Sequence, residues 1–222
     1  MKIAIIGYGK MGHAIEALAL RRGHSVACAI DAGDRWPEHI AADVAVEFTT
    51  PATAVENIGR CWQHGLPVVC GTTGWYDHYE AVKAECLAGG HRLLAATNFS
   101  LGMNIMFALN ERLAELMRGH GYTVGITETH HIHKLDAPSG TALTLREQIA
   151  ACGEREAERV PITSVREGEV PGTHTVRYDS AVDSLILTHE AHSREGLAQG
   201  ALLAAEWLAA QPAGVYTMKD IL

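Results

Sequence analysis

Apolar and polar positions along this chain follow two rhythms, and the rhythm changes near residue 98. Before that point, short runs rich in Val, Ile and Ala alternate with stretches whose apolar residues recur every three or four positions. The runs Lys2–Ile6, Ser25–Ile30, Ala45–Phe48, Pro67–Cys70 and Arg92–Ala95 predict strands. Met11–Arg22, Thr53–His64 and Tyr76–Leu87 predict helices, followed by Gly23, Gly65 and Gly89, residues that readily end a helix. Strand–helix alternation at this spacing builds βαβ units and a parallel sheet covered by helices on both faces.

Beyond Asn98 the rhythm lengthens. Met103–Arg118 predicts one long amphipathic helix, and Thr141–Ala151 a second. The runs Thr123–Thr129, Thr173–Tyr178 and Ser184–His189 predict strands with little helix between them, which is the pattern of an α+β module with a mixed or antiparallel sheet. Leu197–Ala210 predicts a further helix, and the chain closes with Val215–Leu222.

Composition narrows the class. The chain has 222 residues, 47% hydrophobic and 20% charged, as in a globular domain able to bury a core. A net charge of −8 speaks against a nucleic-acid partner. No apolar run approaches the roughly 18 residues that cross a bilayer, so no membrane partner is expected. The chain opens directly on a strand-like run, so no signal peptide is expected and the predicted location is cytoplasmic. Five scattered cysteines without a C-x-x-C pair fit reduced thiols rather than disulfides or a zinc ribbon.

Two stretches carry chemistry. The first is Gly7-Tyr8-Gly9-Lys10-Met11-Gly12, between a predicted strand and a predicted helix, the context a dinucleotide-binding turn requires. The first glycine permits a tight turn, the second lets backbone approach a pyrophosphate, and the third lets helix and strand pack closely. Asp31 ends the next strand, where a carboxylate holds the adenine ribose hydroxyls and repels a 2′-phosphate. The cofactor is therefore NADH or NADPH, with NADH favoured. The loops Cys70–Gly74 and Ala96–Gly102 follow later strands and are placed to line the nicotinamide end, because ligands bind at the carboxyl ends of strands in such sheets.

The second stretch is Glu128-Thr-His-His-Ile-His-Lys-Leu-Asp-Ala-Pro-Ser-Gly-Thr-Ala142. If the strand continues through it, His130, Ile132 and Lys134 share one face and His131 and His133 the other. Ser139-Gly140-Thr141 opens a helix, whose start is a seat for a carboxylate. A capped surface loop and a metal site built from the histidines with Asp136 are the competing readings. Strand parity sends adjacent histidines to opposite faces, which weakens the metal reading, and no metal is assigned. Acid catalysis on a carboxylate substrate uses every polar group of the segment.

This segment resembles the signature of the 4-hydroxy-tetrahydrodipicolinate (dihydrodipicolinate) reductase family. So do Val46–Pro51, Gly71-Thr72-Thr73-Gly74, Asn98–Asn104, Pro171–His174 and Ser193-Arg194, spread over nearly the whole chain. The resemblance implies NAD(P)H-dependent reduction of a small dicarboxylate in lysine and diaminopimelate biosynthesis. It implies that His130 is the general acid, assisted by Lys134, and that His131, Lys134, Ser139, Gly140 and Thr141 bind the substrate. It implies cofactor contacts from Gly7, Tyr8, Gly9, Lys10, Met11, Gly12, Asp31, Gly71, Thr72, Thr73, Ala96, Thr97, Asn98, Phe99 and Arg194. The fold it implies is α/β: a Rossmann-type doubly wound parallel sheet at 1–98 and 195–222, plus an α+β substrate and oligomerisation domain with a mixed sheet at 99–194. A homotetramer joined through that second sheet is the implied assembly. The chain departs from longer members in a shorter glycine turn and in truncations within 31–43 and 151–171, which bear on cofactor preference and on oligomer contacts.

Overall fold

The structure is a computed structural model that describes residues 1–153, 159–193 and 195–222. It divides into two compact units, Met1–Leu101 with Glu195–Leu222, and Gly102–Arg194.

The first unit is a six-stranded, all-parallel sheet. Its strands are β1 (Lys2–Ile6), β2 (Ser25–Ile30), β3 (Val44–Glu47), β4 (Val68–Cys70), β5 (Arg92–Ala95) and β10 (Gly214–Tyr216), in the order β10-β5-β4-β3-β1-β2. Period-two alternation splits each central strand between two cores. Ile3, Ile5, Val46, Val69 and Leu94 face α1 (Lys10–Arg21) and α6 (Glu195–Ala209). Ala4, Ile6, Ala45, Val68 and Leu93 face α2 (Pro51–Gln63) and α3 (Tyr79–Ala88). Burial on both sides explains why these strands read as continuous apolar runs. α6 reaches the sheet closely because Gly200 lies against Phe99: a Cβ there would stand 1.6 Å from the Phe99 carbonyl oxygen.

The second unit is a four-stranded mixed sheet, in the order β7-β6-β8-β9: β6 (Thr123–His130), β7 (Ile162–Arg166), β8 (Thr173–Asp179) and β9 (Ser184–Glu190). β6 pairs with β7 in parallel and with β8 antiparallel. α4 (Leu101–Met117) and α5 (Gly140–Gly153) supply Met106, Phe107, Leu145 and Ile149 to a core shared with Val124, Ile126, Val176 and Tyr178 of the strands. Two strands exceed the sequence expectation. β7 falls in a stretch read only as a truncated connection, and β10 turns the closing segment into an edge strand of the first sheet.

Candidate functional site

In the first unit the glycine turn is built by close approach. Gly7 has φ +92°, and a Cβ on it would stand 2.0 Å from the Phe48 carbonyl oxygen. A Cβ on Gly12 would stand 2.4 Å from the Gly7 carbonyl oxygen, so these two glycines seat helix on strand. Gly9 differs: nothing lies within 4 Å of its Cβ position. It is the N-cap of α1, makes no side-chain cap, and has no acidic residue in the turn that follows. The helix start thus offers N–H groups and a positive dipole end at an open surface, which fits the pyrophosphate of a dinucleotide.

A groove of about 370 Å³ runs beside this turn, lined by Gly7, Gly9, Asp31, Asp34, Trp36 and Arg60 among others. Asp31 sits at the end of β2 and accepts the Tyr8 backbone N–H at 3.3 Å, while its own N–H donates to Asp34 at 2.8 Å. Arg60 lies over the Trp36 ring at 5.5 Å and pairs with Glu56 at 2.5 Å. Lys10 is exposed and Met11 half-buried.

Three loops follow adjacent strands and pack on one another. A Cβ on Gly71 would enter the Phe48 ring, 2.1 Å from its Cε1 atom, and Phe48 meets Phe99 with ring centroids 5.7 Å apart. Thr72 is buried and accepts the Thr49 N–H at 2.7 Å, whereas Thr73 and Thr97 are exposed. Ala96 and Asn98 are half-buried, and Asn98 accepts the Ser100 N–H at 2.9 Å. Phe99 is core rather than surface, at 2% exposure. Arg194 lies outside the described residues.

In the second unit the inward face of β6 reads Val124, Ile126, Glu128, His130, so one face of one strand passes from hydrocarbon to ionisable groups. Register recruits the rest. Glu128 is opposite His174 on β8 and Ser164 on β7, and His130 is opposite Arg166. Glu128 is fully buried: one oxygen takes the Arg166 guanidinium at 2.9 Å, and the other is in direct contact with Nδ1 of His130. Burial by itself would raise the Glu128 carboxyl, but Arg166, the Ser164 hydroxyl and His130 outweigh it, and the net shift is downward. Burial depresses His130, with Lys134 and Arg166 acting in the same direction against the pull of Glu128. His174, edge-on to His130 at 5.0 Å between centroids, is pushed down to about 4 by burial and by His130, so it stays neutral. Glu128, His130 and His174 are ligand types a metal takes, but both Glu128 oxygens are engaged by Arg166 and His130, an arrangement that fits acid–base work better than a metal seat.

Strand geometry stops at His130. A turn closes from the Lys134 N–H to the His131 carbonyl at 3.1 Å, so the parity argument that aligned Lys134 with His130 does not hold. Lys134 comes close instead through the turn, near enough to lower the proton affinity of both His130 and His174. Its ammonium pairs with Asp136 at 2.7 Å, and Asp136 is lowered: burial opposes the shift, but Lys134 outweighs it. His131 is half-buried, and His133 is exposed and pairs with Glu169 at 3.0 Å. Ser139 caps α5, accepting the Ala142 N–H at 3.2 Å, with His174 Nε2 3.3 Å from its hydroxyl. Its side chain is buried, while Gly140 is exposed and Thr141 half-exposed in the first turn.

Glu128, Arg166 and His174 carry no role in the sequence reading. The alternation from Val124 to His130 is the signal that places Glu128 on the buried face. Nothing in the sequence pairs Arg166 with it, because that pairing comes from the register of β6 on β7.

Comparison with known proteins decides the family. The family model described as dihydrodipicolinate reductase, N-terminus, matches residues 1–99, and that described as dihydrodipicolinate reductase, C-terminus, matches residues 102–222. The chain belongs to the dihydrodipicolinate reductase family. It is an oxidoreductase. It is 43% identical over 236 residues to a 4-hydroxy-tetrahydrodipicolinate reductase of Christiangramia forsetii, covering 100% of this chain and 98% of that one. A 4-hydroxy-tetrahydrodipicolinate reductase of Lawsonia intracellularis is 33% identical over 259 residues, covering 100% and 99%. Among solved structures, a dipicolinate-bound dihydrodipicolinate reductase from Paenisporosarcina sp. TG-14 superposes with a TM-score of 0.81 at 22% identity, covering 100% of this chain and 99% of that one. An amine dehydrogenase from Mycobacterium smegmatis shares the fold with a TM-score of 0.61 at 12% identity, covering 98% and 95%. The fold is thus common to several dehydrogenases, and function has to be argued from the site.

Proposed function

We propose that this reductase reduces 4-hydroxy-tetrahydrodipicolinate (dihydrodipicolinate) to tetrahydrodipicolinate in lysine and diaminopimelate biosynthesis, with His130 as proton donor and Lys134 assisting. The observation that carries this reading is the His130–Glu128–Arg166 cluster beside Lys134 and the Ser139–Thr141 helix start. Bound NAD(P)H would supply the hydride. Gly7 to Gly12, Asp31, Gly71 to Thr73 and Ala96 to Phe99 would hold it.

A substrate with two carboxylates needs cations and N–H donors. Lys134, His131 and the first turn of α5 at Gly140 and Thr141 offer them. Ser139 holds that turn in place through its cap. After reduction at one end of a conjugated C=C–C=N system, negative charge spreads toward the other end, and a proton must arrive there. His130 has its proton affinity lowered in the free protein. A dianion beside it raises that affinity, so substrate arrival loads the donor.

NADH is the favoured cofactor. Asp31 and Asp34 face the groove where a 2′-phosphate would lie, and Arg60 is engaged by Glu56. We further propose a homotetramer joined through the open face of the second sheet, where Thr127 is exposed and Ile186 is 51% exposed.

The test is a coupled assay in which aspartate semialdehyde and pyruvate are condensed and loss of reduced-cofactor absorbance is followed. Substrate-dependent oxidation is expected, at least about tenfold more efficient with NADH than with NADPH. No oxidation with either cofactor would sink the substrate assignment, and equal rates would sink the preference.

A further inference from the structure

The cluster around His130 has more structure than a proton donor by itself requires. His130 Nδ1 contacts a carboxylate that can only accept, so Nδ1 keeps its hydrogen in both protonation states. Nε2 is left as the nitrogen that gains and loses a proton. Gly172, with φ +152°, flanks it: a Cβ there would stand 3.1 Å from Nε2 and 3.3 Å from Cδ2, so the glycine leaves the approach to that atom clear. The other oxygen of Glu128 is held by Arg166. Arg166 also donates to the carbonyls of Val165 at 2.7 Å and Asp136 at 2.6 Å, which anchors it to the loop that carries Lys134.

We propose that Glu128 and Arg166 are positioning residues that assign the donated proton to Nε2 of His130 and set how readily it leaves. This rests on the reading of His130 as proton donor. The step balances simply. The Nε2–H bond breaks, its electron pair stays on the ring, the proton joins the substrate, and the neutral imidazole keeps Nδ1–H on Glu128.

Among the described residues, four ionisable groups face His130: Glu128 from β6, Arg166 from β7, His174 from β8, and Lys134 from the turn. Glu128 favours the imidazolium. Arg166 and Lys134 oppose it, and Arg166 also draws charge from Glu128. Glu128 and Arg166 therefore act on His130 with opposite signs.

The test is nitrogen-15 NMR titration of histidine-labelled protein, with kcat/KM against pH, for the wild type and for E128Q, R166Q and R166K. In the wild type, neutral His130 is expected to carry its proton on Nδ1. In E128Q the amide oxygen takes Arg166 and the amide N–H faces Nδ1. The neutral tautomer is then expected to switch to Nε2–H and the His130 pKa to fall by about one unit or more. In R166Q it is expected to rise by about one unit, and in R166K to stay near wild type. General loosening of the site would move both variants the same way. An unchanged tautomer in E128Q, or shifts of the same sign in E128Q and R166Q, would overturn the proposal. If the NMR values move as expected while the kcat/KM profile does not follow, Glu128 and Arg166 still fix the tautomer and proton affinity of His130, but the donor role of His130 fails, and their part in proton donation is overturned with it.

Discussion

At the Gly7–Gly12 turn a candidate ligand surface is made by leaving side chains out; at the Glu128–His130 cluster a candidate site is made by bringing side chains in from three strands. The first depends on backbone contacts that a single methyl group would break. The second depends on sheet register and on charges that balance in a buried place. A site made of backbone dipoles is insensitive to pH and intolerant of volume. A site made of buried ionisable groups should show the reverse, and three measurements test that contrast.

The largest effect is expected at His130. His130→Ala should lower turnover by roughly 10²–10⁴-fold, the usual contribution of a positioned general acid. Glu128 keeps Arg166 in that variant, so the circular dichroism spectrum should remain that of the folded protein, while the lost Nδ1 contact to a buried carboxylate oxygen should cost about 1–3 kcal/mol in urea unfolding. Wild-type turnover in a folded variant would remove His130 from the mechanism.

The glycines should separate stability from binding. Gly7→Ala puts a Cβ 2.0 Å from the Phe48 carbonyl at φ +92° and should cost about 2–4 kcal/mol in urea unfolding. Gly9→Ala meets nothing within 4 Å. It should change stability by less than about 1 kcal/mol while weakening NADH binding about tenfold, read by fluorescence titration. Cofactor affinity equal to wild type in Gly9→Ala would mean that the pyrophosphate does not lie on this turn.

The two regions also differ in how far they can be read without a structure. The first hundred residues are legible because helices cover both faces of the central strands, so these read as largely apolar runs, and each helix is followed by a glycine. β10 is not legible: its three residues are ordered by pairing with β5 rather than by a pattern of their own. β7 escapes for a related reason. Ile162-Thr-Ser-Val-Arg166 carries two apolar residues, none fully buried, and its place is set by β6. Within the candidate site, the histidines, lysine and Ser-Gly-Thr turn stand together in sequence. Arg166 and His174 reach it only through strand pairing. Lys134 shows the limit of parity arguments, since the strand ends at His130 and a turn, not alternation, carries the ammonium back toward it.

The smallest expected effect separates the two regions by pH. His174 is 5% exposed, and burial, with His130 next to it, pushes its pKa down to about 4. An unfolded histidine takes up its proton near pH 6.5, so between that pH and 4 the unfolded chain binds a proton that the native protein refuses. Native stability should therefore fall as pH drops through this window, by about 3 kcal/mol from this residue once below it. Above the window His174 is neutral in both states and contributes no pH dependence. Replacing it with glutamine removes the titrating group and keeps a polar group toward Ser139. The difference in unfolding free energy between His174→Gln and wild type should thus shift in favour of the variant on going from pH 7.5 to about pH 4.5, measured by urea denaturation. Among the described residues, those lining the groove at Gly9 include no buried histidine, so Gly9→Ala should track wild type across the same range. A His174→Gln curve parallel to wild type would mean that His174 accepts its proton in the folded state, and that the cluster is more open to water than its burial implies.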